Sequence, residues 1–245
     1  DPTKSDRLGS LVRAVQGCTD GARRYRMPFI SGKDSLFNEF DGEAIPSTLL
    51  ISALGLVPDL GRAIDSAGMQ PDDDIWLVGQ GSAHLGGSLA SDVFDLCANT
   101  VPLPLDDPLP RYQAIHTAIA AGLITAAHDS SDGGIAVALA EMALAARLGL
   151  CVVVPADGLD PFTSLVNEGP GRLVLTGSPG NRGAIAAALG DFGRRIGEVT
   201  GGDRIVMAAP SGASGDAESL DSRELVLVEL TIDQAVEAFT GGAVE

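Results

Sequence analysis

Residues 128–134 read His-Asp-Ser-Ser-Asp-Gly-Gly and concentrate acidic, hydroxyl and glycine residues in one short stretch. The apolar residues that follow recur at helical spacing, which predicts that the stretch opens a long helix. A helix N-terminus offers free N–H groups and partial positive charge to phosphate, and a neighbouring carboxylate suits the magnesium that accompanies phosphate. An ordinary helix cap made by Asp129, Ser131 or Asp132 accounts for the same residues equally well.

A second stretch, residues 31–39, reads Ser-Gly-Lys-Asp-Ser-Leu-Phe-Asn-Glu. Gly32 favours a tight turn whose backbone can touch a phosphate, and Lys33 can neutralise phosphate charge. Asp34 and Ser35 offer a metal ligand or a hydroxyl contact. The glycine spacing is not that of a P-loop, and a polar β-turn remains the alternative.

Two further groups of residues leave their roles open. Residues 84–88, His-Leu-Gly-Gly-Ser, fit either an anion-binding backbone nest or a flexible loop. Glu168 and Arg172 fit either a surface ion pair at a turn or a pair of residues that faces a site. The three histidines lack metal-ligand spacing, and the cysteines lack a histidine partner in sequence, so we expect no cysteine nucleophile.

Composition limits the classes of protein to which this chain can belong. The chain has 245 residues, of which 45% are hydrophobic, and carries a net charge of −17, which predicts a folded core and no nucleic-acid or membrane partner. Three scattered cysteines favour the reducing cytoplasm. No stretch has the length of a membrane span or the pattern of a signal peptide. Because the first residue is Asp1, we expect the chain to be a piece of a longer protein.

The order of predicted elements indicates an α/β or α+β chain. A helix is predicted at 4–24, a short strand at 27–30 and a strand covered on both faces at 48–57. Proline and three aspartates near residue 71 predict a domain boundary there. After it, strands and helices interleave to the last helix, where Thr231 has capping-box spacing to Gln234.

Five motifs in this order resemble the phosphoribosylformylglycinamidine (FGAM) synthase family. They are PFISGKDSLFNEF (28–40), IPSTLLISALG (45–55), LGGS (85–88), AHDSSDGGIAVALAEMA (127–143) and IGEVT (196–200). The wider superfamily, with aminoimidazole ribonucleotide synthetase, selenophosphate synthetase, thiamine-monophosphate kinase and a hydrogenase maturation protein, shares the HDxSDGG-type stretch. The SGKDSLFNE segment points to FGAM synthase within it.

The resemblance implies a fold and a division into domains. Members carry two tandem copies of a two-domain unit with an aminoimidazole ribonucleotide synthetase-like fold. This chain is similar to most of the second copy. Residues 1–71 would be a partial N-terminal-type domain that helps to form a barrel, and residues 72–245 a complete C-terminal-type α/β domain.

The resemblance also implies roles for seven residues. These are nucleotide binding for Gly32, Ser131, Gly133 and Gly134, substrate or phosphate contact for Lys33 and Ser35, and magnesium binding for Asp129. Lys33 departs from the small-subunit form of the family, which has an asparagine metal ligand there. A lysine cannot bind magnesium, so this position is closer to the long, fused form.

The implied activity is that of a ligase of de novo purine biosynthesis. ATP activates the amide oxygen of formylglycinamide ribonucleotide (FGAR), ammonia displaces phosphate, and the products are FGAM, ADP and phosphate. Ammonia would come from a separate glutaminase domain or subunit. The resemblance places the catalytic base in the first synthetase unit, so no catalytic residue is assigned here and the fragment is expected to be inactive alone. A truncated barrel domain would expose apolar edges and favour self-association.

Two alternatives remain open. In one, this half is a structural nucleotide-binding module whose nucleotide is never turned over. In the other, the chain is a complete synthetase or kinase of the aminoimidazole ribonucleotide or selenophosphate type. The missing N-terminal half and the lack of a reactive cysteine or lysine near the start weigh against the second.

Overall fold

The N-terminal helix predicted from apolar spacing is present as α1, Ser5–Tyr25, which ends at Arg26 in a left-handed C-cap. This helix belongs to the first of two units, residues 1–58 and 59–245. The computed structural model describes residues 2–98, 100–104, 107–155, 157–210 and 224–241.

In the described part of the first unit, regular β-structure is limited to a short hairpin, β1 (Glu39–Phe40) paired with β2 (Glu43–Ala44). The strands predicted at 27–30 and 48–57 are wrong, because both ranges lack regular secondary structure. A strand is stabilised by a partner that completes its backbone hydrogen bonds, and neither range has one in the described residues. No described side chain of this unit is buried.

The second unit is built on a sheet that the described residues form from seven strands. In chain order these are β3 Asp74–Val78, β4 Ala126–Asp129, β5 Gly149–Val153, β6 Leu173–Gly177, β7 Gly193–Thr200, β8 Arg204–Pro210 and β9 Glu224–Thr231. Their spatial order is β4-β6-β3-β7-β5-β8-β9, and among these described strands only the β5–β8 pair is parallel. The mixed α/β class expected from the sequence is confirmed.

Helices of the second unit pack on both faces of this sheet. They are α2 Leu89–Val93, α3 Leu109–Ala120, α4 Gly134–Ala146, α5 Pro161–Val166, α6 Arg182–Leu189 and α7 Ile232–Thr240. The capping box predicted at the last helix is present, with Thr231 and Gln234 bonded reciprocally. Within the described residues, no helix combines the length and hydropathy needed to cross a membrane.

Strand β3 divides the core into two layers. Successive side chains of a strand point to opposite faces, and here Ile75 and Leu77 join one buried cluster while Trp76 and Val78 join the other. The first cluster includes the apolar face of α4, and the second includes residues of α3 and α6. This packing fixes α4, and with it the Asp-Ser-Ser-Asp-Gly-Gly stretch, against the sheet.

Candidate functional site: a pocket beside the ends of strands β4 and β6

Antiparallel pairing of β4 with β6 brings two loops together. Asp129, the last residue of β4, lies opposite Leu173, the first residue of β6. The ladder continues one residue further, since the N–H of Ser130 donates to the carbonyl of Arg172 at 2.9 Å. Residues that are about 40 positions apart in sequence therefore become neighbours.

A pocket of about 480 Å³ lies between these loops. Its lining residues are Tyr112, Asp129, Ser130, Ser131, Asp132, Glu168, Pro170, Gly171, Arg172 and Leu173. The lining thus combines three carboxylates, two serine hydroxyls, a tyrosine and a guanidinium, which are groups that can hold a phosphate together with a divalent cation.

Helix α4 starts later than the sequence suggested, and no side chain caps it. Its N-cap is Gly133, with a φ of 76°. The alternative in which Asp129, Ser131 or Asp132 caps the helix is therefore wrong. These residues lie instead on the connection between β4 and α4, and all three line the pocket.

Gly133 and Gly134 are glycines for reasons that the fold itself supplies. Both have positive φ, where other residues are strained. A Cβ on Gly134 would lie 2.5 Å from the carbonyl oxygen of Leu165, and a Cβ on Gly133 would lie 2.2 Å from a methyl carbon of Val137. Close packing against α5 thus requires Gly134, whatever its part in ligand binding.

Asp129, for which magnesium binding was expected, has an accessible carboxylate. Its side chain is 71% exposed, and its Oδ2 accepts a hydrogen bond from the Ser131 hydroxyl. His128 lies beside it, with Nδ1 bonded to the Asp129 carbonyl and Nε2 3.1 Å from Glu141.

This arrangement fits magnesium only as a partner of a phosphate ligand. The described residues contain no group of three or more acidic, histidine or cysteine side chains placed to hold a metal. Magnesium commonly takes one or two protein carboxylates and completes its shell with water and substrate phosphates. Asp129 supplies a carboxylate of that kind.

Glu168 has a different role from the other pocket carboxylates. Its Oε1 accepts from the backbone N–H of Gly133 at 2.8 Å and from that of Leu89 at 2.9 Å. The ion pair with Arg172 that was one reading of the sequence is not formed. Both residues line the pocket, so the reading in which they face a site is the one consistent with the geometry.

Asn167 anchors the loop that carries Glu168. It is fully buried, and its side-chain oxygen accepts from the N–H of Ser82 at 3.0 Å. Its amide nitrogen donates to the carbonyl of Thr163 at 2.7 Å. The Asn167 side chain therefore joins the segment around Ser82, which follows β3, to helix α5.

Arg172 is a buried cation among the residues that line the pocket. It is 2% exposed, and its terminal nitrogens donate to the carbonyls of Asn167 and Ser164 at 3.3 and 3.4 Å. Burial lowers the pKa of its guanidinium to about 10, against the opposing attraction of Asp157. The side chain therefore remains charged at neutral pH.

Part of the backbone considered for an anion-binding nest at residues 84–88 is already hydrogen-bonded. The N–H of Gly86 donates to the carbonyl of Thr100, and that of Ser88 donates to the carbonyl of Leu85. The hydroxyl of Ser88 caps helix α2 by accepting from the N–H of Ser91. These N–H groups are used within the fold.

Gly32, Lys33 and Ser35 lie in the first unit, in a segment without regular secondary structure. All three are exposed, and the Lys33 amine is bonded to the Ser35 hydroxyl. A Cβ on Gly32 would meet nothing within 4 Å, so its glycine identity has no structural cause in this unit. Their assigned roles remain predictions.

Three pocket features escaped sequence reasoning. Tyr112 lies on α3, far from the other lining residues in sequence, and Asn167 acts through buried bonds. Gly171 has a φ of 83°, and a Cβ there would lie 2.5 Å from a terminal nitrogen of Arg111. The Asn-Glu-Gly-Pro-Gly-Arg run, with its two glycines and a proline, was the available signal for a constrained loop.

Comparison with known proteins agrees with the fold and the motifs. Residues 70–209 match the family described as AIR synthase related protein, C-terminal domain. The phosphoribosylformylglycinamidine synthase subunit PurL of Brucella ovis is 36% identical over 211 residues, which cover 84% of this chain and 28% of that protein. The PurL of Brucella canis gives the same values. The chain thus spans 28% of the length of these curated relatives.

Solved structures show the same fold. Thermotoga maritima PurL complexed with FGAR superposes with a TM-score of 0.58 at 17% identity, over 72% of this chain and 30% of that one. The complex of T. maritima PurL with ATP gives 0.52 at 17% identity, over 72% and 27%. The resemblance inferred from the five motifs is confirmed, and the chain belongs to the AIR synthase related protein family through its C-terminal domain.

Proposed function

We propose that this chain is part of the ATP-dependent synthetase that converts FGAR, ATP and glutamine-derived ammonia to FGAM, ADP and phosphate. In this proposal residues 1–71 are the remainder of an N-terminal-type domain, and residues 72–245 are the C-terminal-type domain of the second synthetase unit. The similarity to PurL over 84% of the chain supports this assignment. T. maritima PurL, which shares the fold, has been complexed with ATP, ADP and FGAR.

The pocket beside β4 and β6 is proposed to bind the phosphates of a magnesium nucleotide. The observation that carries the proposal is that Asp129 and Ser131 meet buried Arg172 around one cavity of about 480 Å³. An exposed carboxylate, a hydroxyl and a guanidinium are complementary to a phosphate with its bound cation.

Magnesium, when bound, would neutralise phosphate charge and so stabilise charge that develops during phosphoryl transfer. Asp129 would hold it through its exposed carboxylate. Ser131 orients that carboxylate by its hydrogen bond and offers its hydroxyl to the nucleotide. Gly133 and Gly134 are not among the residues that line the pocket, and their proposed contact with the nucleotide rests on the family resemblance.

The first unit is proposed to contribute Gly32 to nucleotide phosphate, and Lys33 and Ser35 to substrate or phosphate. Its partners would be the first synthetase unit, which supplies the catalytic base, and a glutaminase domain or subunit, which supplies ammonia. We therefore expect no FGAM formation by this chain alone.

Calorimetric titration with Mg-ADP and Mg-ATP tests the proposal. We expect binding by the wild-type chain and its loss in Asp129→Ala. Asp191→Ala, at an exposed position outside the pocket, removes the same charge and should bind as the wild type does. Absence of binding by the folded wild-type chain, or equal binding by Asp129→Ala, would contradict the assignment of the pocket.

A second candidate is a structural nucleotide-binding module without turnover. The commitment of the Glu168 carboxylate to two backbone N–H groups favours it, since that carboxylate is thereby less available as a base. The assembled enzyme tests this. Bound ADP that stays in the second unit when free nucleotide is exchanged, with no phosphate released there from ATP, would favour the module. Phosphate release that depends on Asp129 would favour the synthetase.

A further inference from the structure

We propose that Arg172 and Ser130 form an anion subsite in the lining of the pocket, which takes a phosphoryl group directly and without magnesium. The inference rests on the proposed function of the pocket and deepens it. It adds a direct contact of Arg172 and Ser130 with phosphate to the magnesium contact proposed for Asp129.

Arg172 makes only weak hydrogen bonds for a buried cation. Its two terminal nitrogens donate to backbone carbonyl oxygens at 3.3 and 3.4 Å, near the upper limit for such bonds. Its Nε has no partner although it is buried. Asp157 attracts this guanidinium, but the hydrogen bonds of Arg172 go only to neutral carbonyl oxygens. It therefore lacks the hydrogen-bonded anionic partner that buried charges usually have.

The hydroxyl of Ser130 is a second buried polar group, next to Arg172. This residue is 8% exposed, and its buried Oγ also has no hydrogen-bond partner. The backbone bond between Ser130 N–H and the Arg172 carbonyl, at 2.9 Å, holds the two residues side by side. Two neighbouring pocket residues therefore carry unsatisfied buried polar groups, which native structures rarely retain without a ligand or water.

The pocket lining carries charges of both signs. The carboxylates of Asp129 and Asp132 lie on exposed residues, whereas Arg172 is buried. The charge of Glu168 is offset by its bonds to two backbone N–H groups. A buried cation and exposed carboxylates in one pocket lining suit an anion held by Arg172 and a divalent cation held by the carboxylates.

The chemistry of these groups indicates the class of ligand. Both the guanidinium N–H and the serine hydroxyl can donate, so one acceptor-only group satisfies both. A phosphoryl group has several strong acceptor oxygens and pairs well with a guanidinium. We therefore assign a phosphate monoester or the terminal phosphoryl of a nucleotide as the class of ligand.

The test is titration of the full chain with inorganic phosphate and with pyrophosphate, in the absence of magnesium. We expect measurable binding by the wild type and a weakening of roughly tenfold in Ser130→Ala and in Arg172→Lys, since each loses a bond to a charged group. Arg204→Met is the control, because Arg204 is exposed on β8 and lies outside the pocket lining, and its affinity should equal that of the wild type.

Ser130→Ala keeps the backbone bond to Arg172 and so tests the proposal even where Arg172→Lys fails to fold. Fluorescence of Trp76, the single tryptophan, which is buried in β3, reports folding of each variant. No phosphate binding by the wild type, or equal affinity in Ser130→Ala, would overturn the subsite. Loss of Mg-ADP binding in Asp129→Ala is a separate result, so the subsite can fail while the nucleotide site stands.

Discussion

Glu168 and Gly133 are joined by a hydrogen bond of 2.8 Å from the Gly133 N–H to Oε1, and the same oxygen also accepts from Leu89 N–H. The carboxylate therefore links the start of α4 to the start of α2. Negative charge is favourable near a helix N-terminus, so Glu168 takes the place that a side-chain cap would occupy. Asp129 and Asp132 are left as the pocket carboxylates that are available to a ligand.

The first prediction concerns this link. Glu168→Ala removes the acceptor and leaves the buried N–H of Gly133 unpaired, which should lower the free energy of unfolding by about 1–3 kcal/mol. Glu168→Gln keeps a side-chain oxygen as acceptor, so its loss of unfolding free energy should be less than half that of Glu168→Ala. Urea unfolding followed by Trp76 fluorescence measures both. Equal losses in the two variants would show that charge, and not the shared oxygen, matters.

The second prediction concerns the glycine that starts α4. Gly134→Ala would place a Cβ 2.5 Å from the Leu165 carbonyl oxygen, at a φ of 68°, and should destabilise the second unit by several kcal/mol. Gly183→Ala in α6 meets nothing within 4 Å and should be neutral or stabilising by about 1 kcal/mol. Thermal unfolding of both variants is the measurement. A stable Gly134→Ala variant would contradict the close packing of α4 on α5.

The third prediction concerns pH. Burial raises the pKa of Asp74, but hydrogen bonds and charges from Arg182 and Arg195 outweigh it, and the pKa falls below its ordinary 3.8. A lowered folded pKa gives stability that is present above the unfolded value and lost as pH falls through the folded value. We therefore expect the stability difference between wild type and Asp74→Asn to shrink below pH 3.8. Urea unfolding at neutral and acid pH measures it, and a constant difference would contradict the prediction.

The fourth prediction concerns the support of the pocket. Asn167→Ala removes the acceptor for Ser82 N–H and the donor to Thr163. Because these groups are buried, we expect faster hydrogen exchange at residues 79–90 and a loss of about 2–4 kcal/mol in stability. Asn181→Ala, whose side chain makes no capping bond in α6, is the control. Unchanged exchange at 79–90 in Asn167→Ala would show that this side chain does not hold the segment.

The fifth prediction concerns the first unit, whose apolar side chains are widely exposed. Leu50, Leu54 and Leu56 are 86%, 83% and 93% exposed, and exposed apolar patches favour association. We expect the sedimentation coefficient of the chain to increase with protein concentration. A triple Leu→Ser substitution at these positions should reduce association, whereas Leu103→Ser, exposed in the second unit, should not. Concentration-independent sedimentation of the wild type as a monomer would contradict this.

The sequence alone identified several elements of the fold, because their signals are local. Interleaved strands and helices were predicted after residue 71, and they are present from β3 onward. Helical spacing located α1 and α4, and the Thr231–Gln234 spacing predicted a capping box that is present. The ordered motifs identified the family, because several short patterns at fixed spacing are far more specific than any one of them.

Tertiary structure decided what local patterns leave open. The strands predicted at 27–30 and 48–57 are wrong, because apolar composition cannot supply the partner that a strand needs. The role of Glu168 could not be predicted either, because its bonds go to Gly133 and Leu89, which are 35 and 79 positions away in sequence. The β4–β6 register placed Ser130 beside Arg172. Non-local pairing, which is fixed only when the sheet closes, therefore determines which polar residues share the pocket.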